Sequence, residues 1–129
     1  MDARIAVGAK DESAQEPSID GLDINKGIAN SGGRKELYWE ILSAFYEDGI
    51  QKIDEIEECI ANDNINNYSI YVHALKSAAA NIGAEKLAEA ANALEAAGDS
   101  GDINYIQANN ESFLADLKAL LDEISKIKT

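Results

Sequence analysis

The chain has 129 residues and a net charge of −13, and 46% of its residues are hydrophobic but only 6% aromatic. That length can bury the core of a single domain, and the one cysteine excludes an internal disulfide and gives no metal-ligand spacing. So acidic a chain repels phosphate backbones and anionic lipids, which makes nucleic acid and membrane surfaces poor partners. No stretch reaches the roughly 18 apolar residues of a membrane span. The N-terminal residues also lack the apolar core of a signal peptide, so we expect a cytoplasmic protein.

The first part of the chain, residues 1–19, shows no sustained periodicity and contains the only proline, Pro17. This pattern predicts a flexible tail or a linker from a larger parent chain. We therefore place the folded domain at residues 20–129. Its first element is a short helix that Asp23 can cap and that ends near Asn30, before a Ser-Gly-Gly break.

Four longer segments follow, with apolar residues at the three- and four-residue spacing of one helix face. We expect them at about residues 34–61, 66–82, 84–97 and 103–127, and none shows the alternation of a strand. The residues predicted to face the core are Tyr38, Leu42, Phe45, Ile53, Ile56, Ile60, Tyr68, Val72, Leu75, Ala79, Ile82, Leu87, Ala91, Leu94, Ile106, Phe113, Leu117, Leu120, Ile124 and Ile127. This predicts an all-α, antiparallel four-helix bundle, with the short first helix capping one end.

The breaks between these segments carry residues that typically begin or end helices. Asn66 or Asn67 can cap the second long helix, and Gly83 can end it in the left-handed conformation. Residues 98–102 predict a turn, with Asp102 as the cap of the last helix. Gly49 lies on the core face, where it allows either a kink or the close approach of a neighbouring helix.

His73 is the only histidine of the chain, and it follows the core residue Val72, which turns its ring about 100° away from the core. Neutral imidazole is a nucleophile near neutral pH, and Lys76 can neutralise the charge of a phosphoryl group one turn away. By themselves, such a histidine and such a lysine are more often ordinary surface residues. The residues that share this flank of the helix are Ser69, Lys76, Ser77 and Ala80.

Other kinds of site find little support in the sequence. One histidine and one cysteine do not build a zinc site, and a di-iron bundle would need a second histidine. There is no glycine-rich phosphate loop after a strand. No acid–base group is predicted beside His73.

The run from His73 to Leu87 (HALKSAAANIGAEKL), followed by Leu94 and Glu95, resembles the histidine-containing phosphotransfer (Hpt) domain. The family pattern has a histidine, then a leucine, a lysine, small residues, a glycine and a second leucine at the spacing found here. The family often has glycine directly after the lysine, where this chain has Ser77. The resemblance covers about residues 20–127.

The resemblance implies a phosphorelay intermediate of two-component signalling. His73 would accept a phosphoryl group from the aspartate of a response-regulator receiver domain and pass it to another receiver, in a relay fed by a hybrid sensor histidine kinase. Lys76 would stabilise the phosphoryl charge, and the outer ring nitrogen, Nε2, would react. The residues expected to contact the receiver are Ser69, Ser77, Ala80, Ala84 and Lys86.

The resemblance also limits what the chain does alone. It implies a monomer with no ATP-dependent kinase activity and no metal or cofactor of its own, since Mg²⁺ belongs to the receiver. One alternative is a helical adaptor that binds signalling proteins without phosphorylation. A second is the dimerisation domain of a sensor kinase, which typically has an acidic residue where Ala74 stands. A third is the amino-terminal module of a chemotaxis-type kinase. The segment before Asp20 favours a domain cut from a hybrid kinase.

Overall fold

Residues 18–127 are described by a computed structural model, and within them the chain forms five α-helices and no strand. The helices are α1 (Ile24–Asn30), α2 (Lys35–Ala61), α3 (Ile65–Ile82), α4 (Glu85–Ser100) and α5 (Ile103–Ile127). Two- or three-residue connections join the four long helices, so neighbours along the chain run antiparallel. The predicted four-helix bundle with a short N-terminal helix is confirmed. Most of the predicted tail, residues 1–17, lies outside the described residues.

The core follows the predicted helix faces closely. Ile60 and Ile127 are only partly buried, and Cys59 faces inward in place of Ile60, since the three-residue step from Ile56 leads to it. Ile19, which the sequence placed in the tail, is 5% exposed and packs in the core. The structured unit therefore begins at least one residue earlier than predicted.

The start of α3 differs from the prediction of Asn66 or Asn67 as its cap. Asn64 is the N-cap, and its side chain accepts a hydrogen bond from the backbone N–H of Asn67 at 3.2 Å. The chain reverses within three residues because Asp63 adopts a left-handed conformation, with φ of 55°. That short turn brings the helix start forward to Ile65.

The turn predicted over residues 98–102 is also shorter than expected. α4 continues to Ser100, Gly101 ends it with φ of 76°, and Asp102 caps α5 as predicted by accepting the N–H of Tyr105. Gly98 therefore lies within α4 and not in a turn, and it allows close packing of two helices. A Cβ atom there would lie 2.1 Å from Oγ of Ser69, so α3 and α4 approach closely at this point.

Gly49 has a comparable packing role in α2. A Cβ atom on it would lie 2.9 Å from both δ-carbons of Leu121 in α5. α2 is one continuous helix from Lys35 to Ala61. The close approach of a neighbouring helix, which was one of the two expected roles, therefore accounts for this glycine.

The C-terminal end of α3 is tied to the segment around α1 and to α2. Carbonyl groups in the last turn of a helix have no partner within it, and here three donors from outside α3 bind them. These are the N–H of Asp23 to Gly83 at 2.8 Å, the hydroxyl of Tyr38 to Ile82 at 2.8 Å, and the Asn30 amide to Asn81 at 3.1 Å. Burial, with a smaller contribution from Asp23, raises the pKa of Tyr38 to about 12, so its hydroxyl remains a donor.

A buried hydrogen bond joins α3 to α5. The hydroxyl of Tyr68 donates to Oδ1 of Asn110 at 2.9 Å, and the two side chains are 0% and 7% exposed. Tyr68→Phe should lower the free energy of unfolding by about 1–3 kcal/mol, because the Asn110 oxygen would stay buried without a partner. Urea denaturation measures this. Adding Asn110→Leu should restore part of the loss, and a further large loss would contradict the explanation.

Candidate functional site

His73 is displayed on the outside of α3 because its neighbours along the helix face the core. Val72 and Leu75 are 0% and 1% exposed, whereas the His73 side chain is 56% exposed. The position one residue past a buried side chain turns the ring outward. The predicted exposure of His73 is confirmed.

Glu95, in α4, contacts both His73 and Lys76. Its Oε2 lies 2.7 Å from Nδ1 of His73, and its Oε1 lies 2.7 Å from Nζ of Lys76. Nζ of Lys76 also lies 3.4 Å from Oδ1 of Asn92, one turn earlier in α4. The Glu95 side chain is only 18% exposed, so this carboxylate is held between the two helices.

The environment of Glu95 favours its ionised form. The hydrogen bond from Lys76 lowers the pKa of the carboxyl group, partial burial opposes that effect, and the contact with His73 lowers the pKa further. Glu95 is therefore a carboxylate at neutral pH, and a carboxylate can only accept hydrogen bonds. Nδ1 of His73 must carry the shared proton. In the neutral ring this leaves the lone pair on Nε2, the outer nitrogen.

The expectation that no acid–base group lies beside His73 is wrong, since Glu95 is in direct contact with the ring. The two residues are 22 positions apart and meet only because α3 and α4 form an antiparallel hairpin. His73–Glu95 and Lys76–Asn92 are both symmetric about residue 84, in the turn between the helices. Pairing the helices about that turn would have found both contacts from the sequence.

The other residues predicted to contact a receiver fall into two groups. Ser69, Ser77 and Ala80 lie on the His73 side of α3. Ser69 is partly buried beside Gly98, and Ser77 and Ala80 are exposed. With His73 they share one flank of α3, which we call the docking face because the sequence predicts that a receiver contacts it.

Ala84 and Lys86 do not join this surface. Ala84 is 0% exposed because it caps α4 inside the tight turn, where its N–H donates to the carbonyl of Ala79. Lys86 is exposed but precedes Glu95 by nine residues, which places it about 180° around α4. It borders a depression shared with Asp116 of α5.

Two features are absent from residues 18–127. No group of three or more histidine, cysteine, aspartate or glutamate side chains there is arranged to hold a metal ion. None of the helices in this part of the chain has the length and apolar character to cross a membrane.

Comparison with models of known protein families gives a match. The family model described as the Hpt domain matches residues 40–127, which include His73, Lys76 and Glu95. No curated protein and no solved structure gives a significant match. The family match covers well over half of the chain. The chain therefore belongs to the Hpt domain family, whose members carry out phosphotransfer with receiver domains in two-component phosphorelays.

Proposed function

We propose that His73 is the residue that accepts and returns the phosphoryl group. The observation that carries this proposal is the contact between the exposed ring and Glu95. Because the carboxylate holds the proton on Nδ1, it leaves Nε2 unprotonated and directed to solvent. An incoming phosphoryl group needs a nucleophile in that state and at that position.

The transfer step follows from this arrangement. The Nε2 lone pair attacks the phosphorus of the receiver's aspartyl phosphate and a new N–P bond forms. The P–O bond to the aspartate breaks, and its electron pair stays with the aspartate carboxylate. The proton remains on Nδ1 against Glu95, so the positive charge of the phosphorylated ring faces a negative group.

The same arrangement supports transfer in the opposite direction. When the N–P bond breaks, its electron pair returns to Nε2 and the ring leaves as neutral imidazole, still carrying its Nδ1 proton. A second receiver can therefore take the group by the reverse of the first step. The receiver would supply the aspartate and the Mg²⁺ ion. This chain would supply His73 as the nucleophile, with Glu95 and Lys76 beside it.

Lys76 is the proposed source of positive charge near the phosphoryl group. It lies one turn after His73, and its side chain is 29% exposed while paired with Glu95. In a chain of net charge −13, this cation limits the repulsion that an incoming phosphoryl group meets. We propose that it reduces the electrostatic cost of placing a dianion beside the Glu95 carboxylate.

The proposed partners are response-regulator receivers, in a relay fed by a hybrid sensor histidine kinase. They would approach the docking face of Ser69, His73, Ser77 and Ala80, where small side chains leave room around the ring. We propose a monomer, because one chain closes a single core across the helices.

The test is transfer from a receiver phosphorylated in advance. Incubation with this chain should move the phosphate onto it in a form that is lost in acid and kept in base, as expected of phosphohistidine. A second, unphosphorylated receiver should then remove it. If no receiver from a broad panel transfers phosphate, the proposal fails and a non-phosphorylated adaptor is favoured.

Glu95→Ala should slow transfer by roughly tenfold to a hundredfold, because the ring would lose the group that fixes its tautomer. Rapid-mixing assays at saturating receiver measure the rate, and ¹⁵N NMR of the imidazole reports which nitrogen is protonated. Glu89→Ala is the matched control, since Glu89 is an exposed acid of the same helix. Equal rates and equal tautomer populations in the two variants would contradict this role of Glu95.

A further inference from the structure

Ile70 is an exposed hydrophobic residue that does not pack in the core. Its side chain is 62% exposed, more than any other large hydrophobic residue within residues 18–127. Other residues of α3 face the core, since Tyr68, Val72 and Leu75 are each no more than 1% exposed. Ile70 precedes His73 by one turn and shares its side of the helix. Ile70 is therefore available for a contact outside the core.

Ile70 also borders a groove that reaches His73. We call it the Ile70 groove, and the residues that line it are Asn66, Ser69, Ile70, His73, Gly98 and Asp99. The groove crosses from α3 to α4 where the helices approach closely at Ser69 and Gly98, and Gly98 contributes no side chain to fill it. Its far rim carries the exposed carboxylate of Asp99.

The position of the groove limits what can occupy it. His73 forms one of its walls, so a receiver that brings its phosphoaspartate to Nε2 covers the groove at the same time. This inference rests on the proposed function of His73. It extends the docking face from Ser69 and His73 across to Gly98 and Asp99 of α4.

The chemistry of the groove defines the matching surface of the receiver. Ile70 offers apolar contact, Gly98 leaves room beside it, and Asp99 offers a negative charge. Lys76, the cation one turn after His73, is already paired with Glu95 and does not line the groove. We propose that the Ile70 groove binds an apolar side chain of the receiver next to its phosphoaspartate, flanked by a lysine or arginine that pairs with Asp99.

The apolar part is tested with Ile70→Ser in transfer assays at increasing concentrations of phosphorylated receiver. The half-saturating concentration should rise about tenfold or more, with little change in the maximal rate, because binding and not chemistry is weakened. Ile50→Ser is the matched control, since Ile50 is 47% exposed in α2. Circular dichroism should show both variants folded. If Ile70→Ser saturates at the same concentration as Ile50→Ser, the groove is not a contact site.

The charged part is tested separately with Asp99→Asn. At low salt the half-saturating concentration should rise about threefold, and the difference from wild type should disappear at high salt. Asp54→Asn, which removes an exposed acid from α2, should match the wild type. Equal behaviour of the two variants would overturn the proposed pairing with a cation. Transfer to the wild-type chain in the same assays shows that the proposed function holds, so either failure would concern the groove alone.

Discussion

His73→Gln is expected to abolish phosphotransfer, with a loss on the order of a thousandfold or more, since no other side chain on the docking face replaces the imidazole nitrogen. Glutamine is suitable because its amide N–H can still donate to Glu95, which keeps the carboxylate and Lys76 in place. The fold should be unaffected, because His73 is 56% exposed and outside the core. The measurement is acid-labile phosphate on the chain after incubation with a phosphorylated receiver.

The controls for this variant address the hydroxyl groups on the same face. Ser69→Ala and Ser77→Ala remove the two serines of the docking face, and both variants should still acquire acid-labile phosphate. Thermal denaturation of His73→Gln should follow the wild-type curve. Persistent phosphate on a folded His73→Gln chain would show that another residue accepts the group.

Gly83→Ala is expected to cause the largest loss of stability among simple glycine substitutions at helix ends, about 3 kcal/mol or more. Two effects add. Gly83 has φ of 94°, a conformation that costs an L-residue roughly 1–2 kcal/mol. A Cβ atom would also lie 2.1 Å from the carbonyl oxygen of Asp23, so either the α1 segment or the end of α3 must move. Urea denaturation gives the free energy of unfolding.

Gly101 supplies the matched control for this prediction. It also ends a helix in the left-handed conformation, with φ of 76°, but nothing lies within 4 Å of where its Cβ atom would be. Gly101→Ala should therefore cost only the conformational term, roughly 1–2 kcal/mol. Similar losses in the two variants would show that the contact between α1 and α3 contributes little.

The periodic part of the structure was predictable from sequence because it depends on residues close together along one helix. The α3 face of Tyr68, Val72, Leu75 and Ala79 follows helical geometry, and burying that face fixes the outward direction of His73. Helix ends were less predictable. Several asparagines compete to cap α3, and the choice of Asn64 depends on the left-handed turn at Asp63.

The chemistry around His73 was only partly predictable, since it depends on contacts between helices. Lys76 is a neighbour within α3 and was identified, whereas Glu95 reaches the ring from α4. Spacing within one helix also does not reveal how two helices are rotated against each other. For that reason the sequence wrongly predicts that Ala84 and Lys86 share the surface around His73. Ala84 is buried, and Lys86 lies on the opposite side of α4 from Glu95.

The attachment of α1 to the last turn of α3 has a consequence for motion. Helix ends usually fray, and amide hydrogens there exchange quickly with solvent. α3 is held at its start by the Asn64 side chain and at its end by donors from Asp23, Asn30 and Tyr38. Opening the C-terminal end means breaking hydrogen bonds to other parts of the bundle, and opening the start means losing the Asn64 cap. The helix that carries His73 should therefore resist local unfolding along its full length, which keeps the imidazole against Glu95 between encounters with its partners.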